Sequence, residues 1–240
     1  MSHSNVGKGI LRYGPWARAN HWIVAICFVL LSLSGLALFY PAFFGLTALF
    51  GGPEPTRIVH PYIGVFMSLF FLIQAVRFFR ANLFRRYDVQ WARQIGDVLS
   101  NRDERLPPVG QNNAGQKLVY WVFLATVPIL LVTGVVLWRP WIASEMPVWA
   151  LRWAVLIHAL TAFVAILTLI IHIYSAIWVK GSVRAMTQGR VSPAWARHHH
   201  KLWYDEVMAG EKHGDDSALP HREPGDAAAP GNRTGKGSPT

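Results

Sequence analysis

The chain has 240 residues, 52% of them hydrophobic and 15% charged, and Lys and Arg outnumber Asp and Glu 23 to 13. Soluble domains carry about 25% charged residues, and here the deficit is concentrated in four apolar stretches rather than spread along the chain. That distribution excludes an ordinary soluble globular domain, and a net charge of +10 without any nucleic-acid-binding motif points to anionic lipid head groups rather than to DNA or RNA.

The N-terminal segment is basic (Lys8, Arg12, Arg18) and leads into a first uncharged stretch of 19 residues, Trp22 to Tyr40. That run exceeds the roughly 7–15 apolar residues of a signal peptide, and no small-residue cleavage pattern follows it, so a retained helix is expected. The second stretch is Ile58 to Val76, the third Leu118 to Trp138 and the fourth Trp153 to Val179, with 19, 21 and 27 residues. About 20 residues of helix cross about 30 Å of hydrocarbon. Backbone groups in lipid must bond within their own segment, so each stretch is predicted to be a helix. The fold class expected is all-α, an integral membrane four-helix bundle, with helices at about 21–40, 58–79, 117–138 and 150–179 in one domain spanning 1–204.

The connections differ sharply in charge. The loops after the first and third helices carry Arg57 alone, and Arg139 with Arg152. The connection after the second carries Arg77, Arg80, Arg85, Arg86, Arg93, Arg102, Arg105 and Lys117, and the fourth helix is followed by Lys180, Arg184, Arg190 and Arg197. Basic residues mark the cytoplasmic side, so both termini are expected in the cytoplasm of a bacterium and the short loops in the periplasm, on a multi-pass protein of the inner membrane. Within the long connection, Trp91, Ile95, Val98 and Leu99 recur at i, i+4, i+7 and i+8, the pattern of a short amphipathic helix lying in the interface. Pro107, Pro108 and Gly110 break the chain before the third membrane helix. His198, His199 and His200 sit among Trp195, Arg197, Trp203 and Tyr204; a membrane-surface segment is the expectation there, a surface metal site the lesser alternative. From 205 to 240 the chain is rich in Gly, Pro, Ala, Asp and Lys without apolar periodicity, which predicts a disordered cytoplasmic tail.

One cysteine, Cys27, lies in the first membrane helix. A single thiol neither bridges within the chain, nor holds an iron–sulfur cluster, nor forms a C-x-x-C-H haem attachment. Any haem is therefore held without a covalent tether, and any iron–sulfur chemistry belongs to another subunit.

Four of the ten histidines fall in or at the edges of the membrane helices: His21, His60, His158 and His172. Ionisable side chains at membrane depth are costly and mark functional sites. His158 and His172 share the fourth helix, 14 residues apart, which is about 21 Å of rise and about 40° short of four full turns. Both imidazoles thus face the bundle on nearly one side at opposite depths, a spacing that suits two haems stacked across a bilayer. His21 starts the first helix at the cytoplasmic face, and His60 starts the second at the periplasmic face. Depth therefore pairs His21 with His172 at an inner haem b and His60 with His158 at an outer haem b. Two histidines on one iron fill both axial positions and favour electron transfer over oxygen binding. A proton-coupled transporter is the competing class, but the spans contain no Asp or Glu and show no inverted repeat. The two predicted pairs stand too far apart to share one metal ion.

Several strings in this order and spacing give the chain a family likeness over about residues 15 to 205. They are Ala19-Asn20-His21-Trp22, Ile58-Val59-His60-Pro61, Asn113-Ala114-Gly115-Gln116-Lys117, Leu131-Val132-Thr133-Gly134, Trp138-Arg139-Pro140, Leu156-Ile157-His158-Ala159, Ile171-His172, Trp178-Val179-Lys180-Gly181-Ser182, and Trp195-Ala196-Arg197 through Trp203-Tyr204. The sequence resembles the gamma subunit, the cytochrome b556 type, of membrane-bound respiratory formate dehydrogenases. The resemblance implies the same four histidines as haem ligands. It also implies a quinone site (menaquinone or ubiquinone) beside the inner haem at Asn113, Gly115 and Gln116 together with His172. Capping of the third helix is the plainer role for Asn113. The partners implied are an iron–sulfur subunit and a molybdenum- or tungsten-pterin catalytic subunit on the periplasmic side. Electrons would pass from the outer to the inner haem and on to quinone in anaerobic respiration, with protons drawn from the cytoplasm. The chain would be the electron-transfer and quinone-reducing part of the enzyme and could not oxidise formate alone. The cytochrome b subunit of another complex, such as a nickel–iron hydrogenase or a thiosulfate reductase, and a haem-free membrane anchor are the alternatives.

Overall fold

The computed structural model describes residues 9–100, 102, 106–139 and 141–209. Four long helices dominate it: α1 (Pro15–Phe39), α2 (Pro53–Phe78), α5 (Ala114–Val136) and α6 (Val148–Trp178). Each is long and apolar enough to cross a membrane. All four begin earlier than the uncharged runs alone suggest, and for three of them the chain sets a start signal outside the run. Pro15 and Pro53 open α1 and α2 at positions where a missing N–H costs nothing. Asn113 caps α5: its side chain accepts from the Gln116 N–H, and the Gln116 side chain accepts from the Asn113 N–H, both at 3.0 Å. Arg18 and Arg57 therefore lie within the opening turns of helices, and the Arg18 guanidinium donates to the Thr187 carbonyl.

The four helices run up and down. α1 packs on α2, α2 on α5, and α5 on α6. A 3₁₀ segment, Pro41–Phe50, joins α1 to α2, and a short turn at Ala143–Glu145 precedes α6. Their outward faces are apolar throughout, with Leu69, Leu72, Val132, Phe163, Ile170 and Ile177 all exposed. That is the inverse of a soluble bundle and suits lipid on the outside. The interior core is small and mid-depth: Val24, Cys27, Phe28, Met67, Phe71, Ala75, Val127 and Ala165. Phe28 and Phe123 meet edge to face there, with ring centres 5.2 Å apart.

At the end of the bundle where α1 starts and α6 finishes, the rest of the chain folds into a cap. α3 (Arg86–Arg93) and α4 (Ile95–Leu99) follow α2; α7 (Ser182–Gln188), α8 (Pro193–His199) and α9 (Lys201–Met208) follow α6. The amphipathic segment is thus helical in two pieces, parted at Gln94. Trp91 does not lie outward in the interface: it is buried with Val109 and Ala114, and the partly buried Val98 packs on the same cluster. Two short strands, β1 (Ile10–Leu11) and β2 (Arg190–Val191), pair antiparallel and tie the N-terminus to the C-terminal helices. Gly189 makes this possible. Its φ is +77°, its carbonyl accepts from the N–H groups of Arg12 and Tyr13, and an added Cβ would fall 2.5 Å from the Tyr13 carbonyl oxygen.

Two buried polar clusters fasten this cap. Lys117 and Asp88, each 1% exposed, form an ion pair at 2.7 Å, and Lys117 lies 4.8 Å from the centre of the Tyr87 ring. Burial, followed by the neighbouring Asp88 carboxylate, pushes the Tyr87 hydroxyl up to about 12, so it stays protonated. Arg12 is buried against the faces of Tyr13, Trp195 and Trp203 and donates to the Gln111 carbonyl and to Nε2 of His200. The three consecutive histidines therefore do not form one surface tract. His200 is buried, donates from Nδ1 to the Gly110 carbonyl at 2.8 Å, and is held neutral, well below the usual histidine range, by burial and then by Arg12. Among the described residues no group of three or more His, Cys, Asp or Glu side chains is placed to hold a metal ion. The expected tail, 205–240, begins inside α9, which runs to Met208; residues 210–240 lie outside the described residues.

Candidate haem sites

His21 stands in the second turn of α1 and His172 near the end of α6, and the structure brings their rings to 6.3 Å between centres, inclined at 53°. His60 stands in the second turn of α2 and His158 in the third turn of α6, with ring centres 6.4 Å apart at 63°. All four are half-buried and face the bundle interior. Ala165, fully buried in the core, is midway along α6 between its two histidines, so the apolar core separates the two levels.

These separations can be set against the chemistry of the donor set. A metal–imidazole bond is about 2.0–2.1 Å, and a ring nitrogen lies about 1.1 Å from its ring centre, so two imidazoles on one iron place their ring centres about 6.3 Å apart. Both couples stand at that distance. Two rings hydrogen-bonded or stacked directly on each other would sit closer. A pair of neutral nitrogen donors, from helices already lined with apolar side chains, fits a b-type haem held only by its axial bonds.

Behind the rings the two couples part company. Nδ1 of His60 is 2.7 Å from Oγ of Ser34 on α1. That hydroxyl donates its own hydrogen to the Leu30 carbonyl, 2.8 Å away and one turn earlier. Nδ1 of His158 is 2.8 Å from Oγ1 of Thr133 on α5, and Thr133 likewise donates to the Ile129 carbonyl at 2.7 Å. A hydroxyl whose hydrogen goes to its own helix carbonyl offers a lone pair to the imidazole; with Nδ1–H donating to it, Nε2 keeps its lone pair for a metal. A glycine follows each hydroxyl residue. A Cβ added at Gly35 would lie 3.5 Å from Cε1 of His60, and one at Gly134 would lie 3.4 Å from Cε1 of His158. Larger residues at either position would push the ring. At the other level, Nδ1 of His21 is buried with no hydrogen-bond partner among the described residues.

Neither Ser34 nor Gly35 was legible as a site residue, and Thr133-Gly134 stood out only as part of a family-like string. The available signal is the repeated pair, Ser34-Gly35 and Thr133-Gly134, on the helices that precede those carrying His60 and His158. Ser and Thr inside apolar helices are ordinary, because they bond their own backbone, which hides the second role.

The residues expected to meet a quinone lie at the start of α5. The oxygens of the Asn113 and Gln116 side-chain amides are engaged in mutual capping, while their NH2 groups make no hydrogen bond among the described residues. Gly115 accommodates Trp91: a Cβ there would lie 3.2 Å from Cη2 of that ring. Capping and packing thus account for all three residues in the folded chain, and only the amide donors are left for a ligand.

The family model described as prokaryotic cytochrome b561 matches residues 12–189. The chain is 41% identical over 204 residues to the cytochrome b556(Fdn) subunit of the nitrate-inducible formate dehydrogenase of Escherichia coli K12, covering 85% of this chain and 94% of that one. It is 41% identical over 198 residues to the formate dehydrogenase cytochrome b556(fdo) subunit of the same organism, covering 82% and 93%. The formate dehydrogenase cytochrome b556 subunit of Haemophilus influenzae is 35% identical over 199 residues, covering 83% and 84%. With four membrane-length helices and paired histidines at two depths between them, the chain belongs to the prokaryotic cytochrome b561 family, among the cytochrome b556 subunits of formate dehydrogenases.

Proposed function

We propose that this chain is the di-haem cytochrome b subunit of a respiratory formate dehydrogenase, carrying electrons from a periplasmic iron–sulfur subunit through two b haems to membrane quinone. The observation that carries this reading is the pair of His–His couples at 6.3 and 6.4 Å, each at the span expected for two imidazoles on one iron. His21 and His172 hold one haem, His60 and His158 the other. A haem held by each couple would supply a one-electron carrier.

The chain's own residues do the rest. α6 contributes one ligand to each level and so fixes their separation at 14 residues, about 21 Å of helix. Phe28, Met67, Phe71 and Val127 keep water out of the space between the levels. At the capped end, the NH2 groups of Asn113 and Gln116 donate to a quinone carbonyl near the His21–His172 couple. The basic residues of the capped end, against the sparse charge of the short loops, support cytoplasmic termini in an inner membrane. The iron–sulfur and molybdenum- or tungsten-pterin subunits then dock at the opposite, periplasmic end. Oxidation of formate rests with those partners, since this chain contributes no cluster ligands.

An inward electron moves against an inside-negative potential, at about 2.3 kcal/mol per 100 mV for a full crossing. Turnover in proteoliposomes should therefore generate a membrane potential. The decisive test is simpler: the purified complex should show b-type bands in a reduced-minus-oxidised spectrum, with two haems per copy of this chain. A single haem, or none, would overturn the reading.

A further inference from the structure

The hydroxyls of Ser34 and Thr133 are fully or nearly fully buried, and neither is needed to satisfy its own helix, whose carbonyls at Leu30 and Ile129 already receive N–H groups. Each stands at hydrogen-bond distance from the non-ligating nitrogen of one member of the same couple, and each is followed by a glycine at the edge of that ring. Two different helices thus carry the same device toward one couple. At the other couple, the buried Nδ1 of His21 meets no acceptor among the described residues.

From this we infer that Ser34 and Thr133 are positioning residues that set the reduction potential of the His60–His158 haem below that of the His21–His172 haem. The inference rests on the di-haem reading above. An acceptor at Nδ1–H fixes the tautomer and ring orientation and raises the basicity of the ligating nitrogen. A more basic ligand stabilises ferric iron, which carries one more positive charge than ferrous, and so lowers the potential. With acceptors on both ligands at one level, electrons run downhill from the His60–His158 level to the His21–His172 level.

The test is a potentiometric titration, followed optically, of the purified complex carrying Ser34→Ala, Thr133→Val or both. The component lost in a His158→Ala variant identifies the haem to be followed. That component should titrate higher in each variant, and in the double variant its ferric-to-ferrous balance should shift about tenfold, equivalent to about 59 mV for one electron. Its low-spin ferric electron paramagnetic resonance signal should shift as well, while the other haem stays put. Ser34→Thr and Thr133→Ser, which keep the hydroxyl, should restore the wild-type titration. If two haems are present and the component does not move, or if the hydroxyl-keeping variants shift or lose haem as much as Ala and Val do, the inference fails while the di-haem reading stands. If wild type binds fewer than two haems, the di-haem reading itself falls.

Discussion

The two histidine couples share a ring separation and differ in their support. His60 and His158 are each braced from behind by a hydroxyl on a neighbouring helix. His21 and His172 lack that bracing on at least one side but sit beneath a folded cap of short helices and two strands. Near the short loops, where little chain is available, orientation comes from side chains inside the bundle. Near the termini, a small folded layer is available to hold the helices, and the ring needs less of its own. A metal site can thus be made rigid through its outer hydrogen bonds or through the fold around it.

The sharpest way to break this comparison is to remove ligands. His60→Ala should abolish one haem and His21→Ala the other, each halving the haem content of the purified protein. If either change left both spectra intact, the pairing would be wrong. Next in size is the cap. Lys117→Met leaves Asp88 buried without its cation, a change that costs about 3–5 kcal/mol where a buried pair is broken. Thermal unfolding in detergent should drop markedly, and the His21–His172 haem should be lost before the other. Gly115→Val presses on Trp91 and should cost about 1–3 kcal/mol, again weakening the capped level first. Asn113→Ala removes a helix cap, worth about 1 kcal/mol. A loss of quinone reduction greater than that figure, at unchanged haem content, would show that the amide also touches quinone.

The smallest effect is a pH dependence. His200 is neutral in the folded cap and holds its proton less well than in the unfolded chain. Stability is therefore full above the unfolded value of about 6.5 and falls as pH drops below it, where only the unfolded chain takes up the proton. Protease cleavage of the cap should accelerate between about pH 7 and pH 5, and His200→Gln should flatten that response.

Much of this was legible in the sequence because lipid imposes simple rules. Uncharged runs gave the four helices, and helical rise placed His158 and His172 at two depths. Helix direction then matched His21 to one and His60 to the other, the same neighbours the folded rings have. What stayed hidden depended on packing between distant segments. Trp91 is apolar at a helical interval and reads as interfacial, yet Gly115 opens a seat for it 24 residues on. His200 reads like its neighbours His198 and His199, and only contacts with Arg12, 188 residues away, and with the Gly110 carbonyl set it apart inside. Ser34 and Thr133 satisfy helix backbones so ordinarily that their second hydrogen bond leaves no trace in composition.

The 31-residue length of α6 has a consequence of its own. At about 1.5 Å per residue it spans some 46 Å, well beyond the hydrocarbon layer. It enters one aqueous boundary with Trp149 and Trp153 and leaves the other with Tyr174 and Trp178, all exposed. A single rod with exposed aromatic side chains near both ends thus carries one histidine of each couple. Any tilt of the rod would shift one member of each couple together, so bilayer thickness is a physical variable to which both halves of the molecule answer at once.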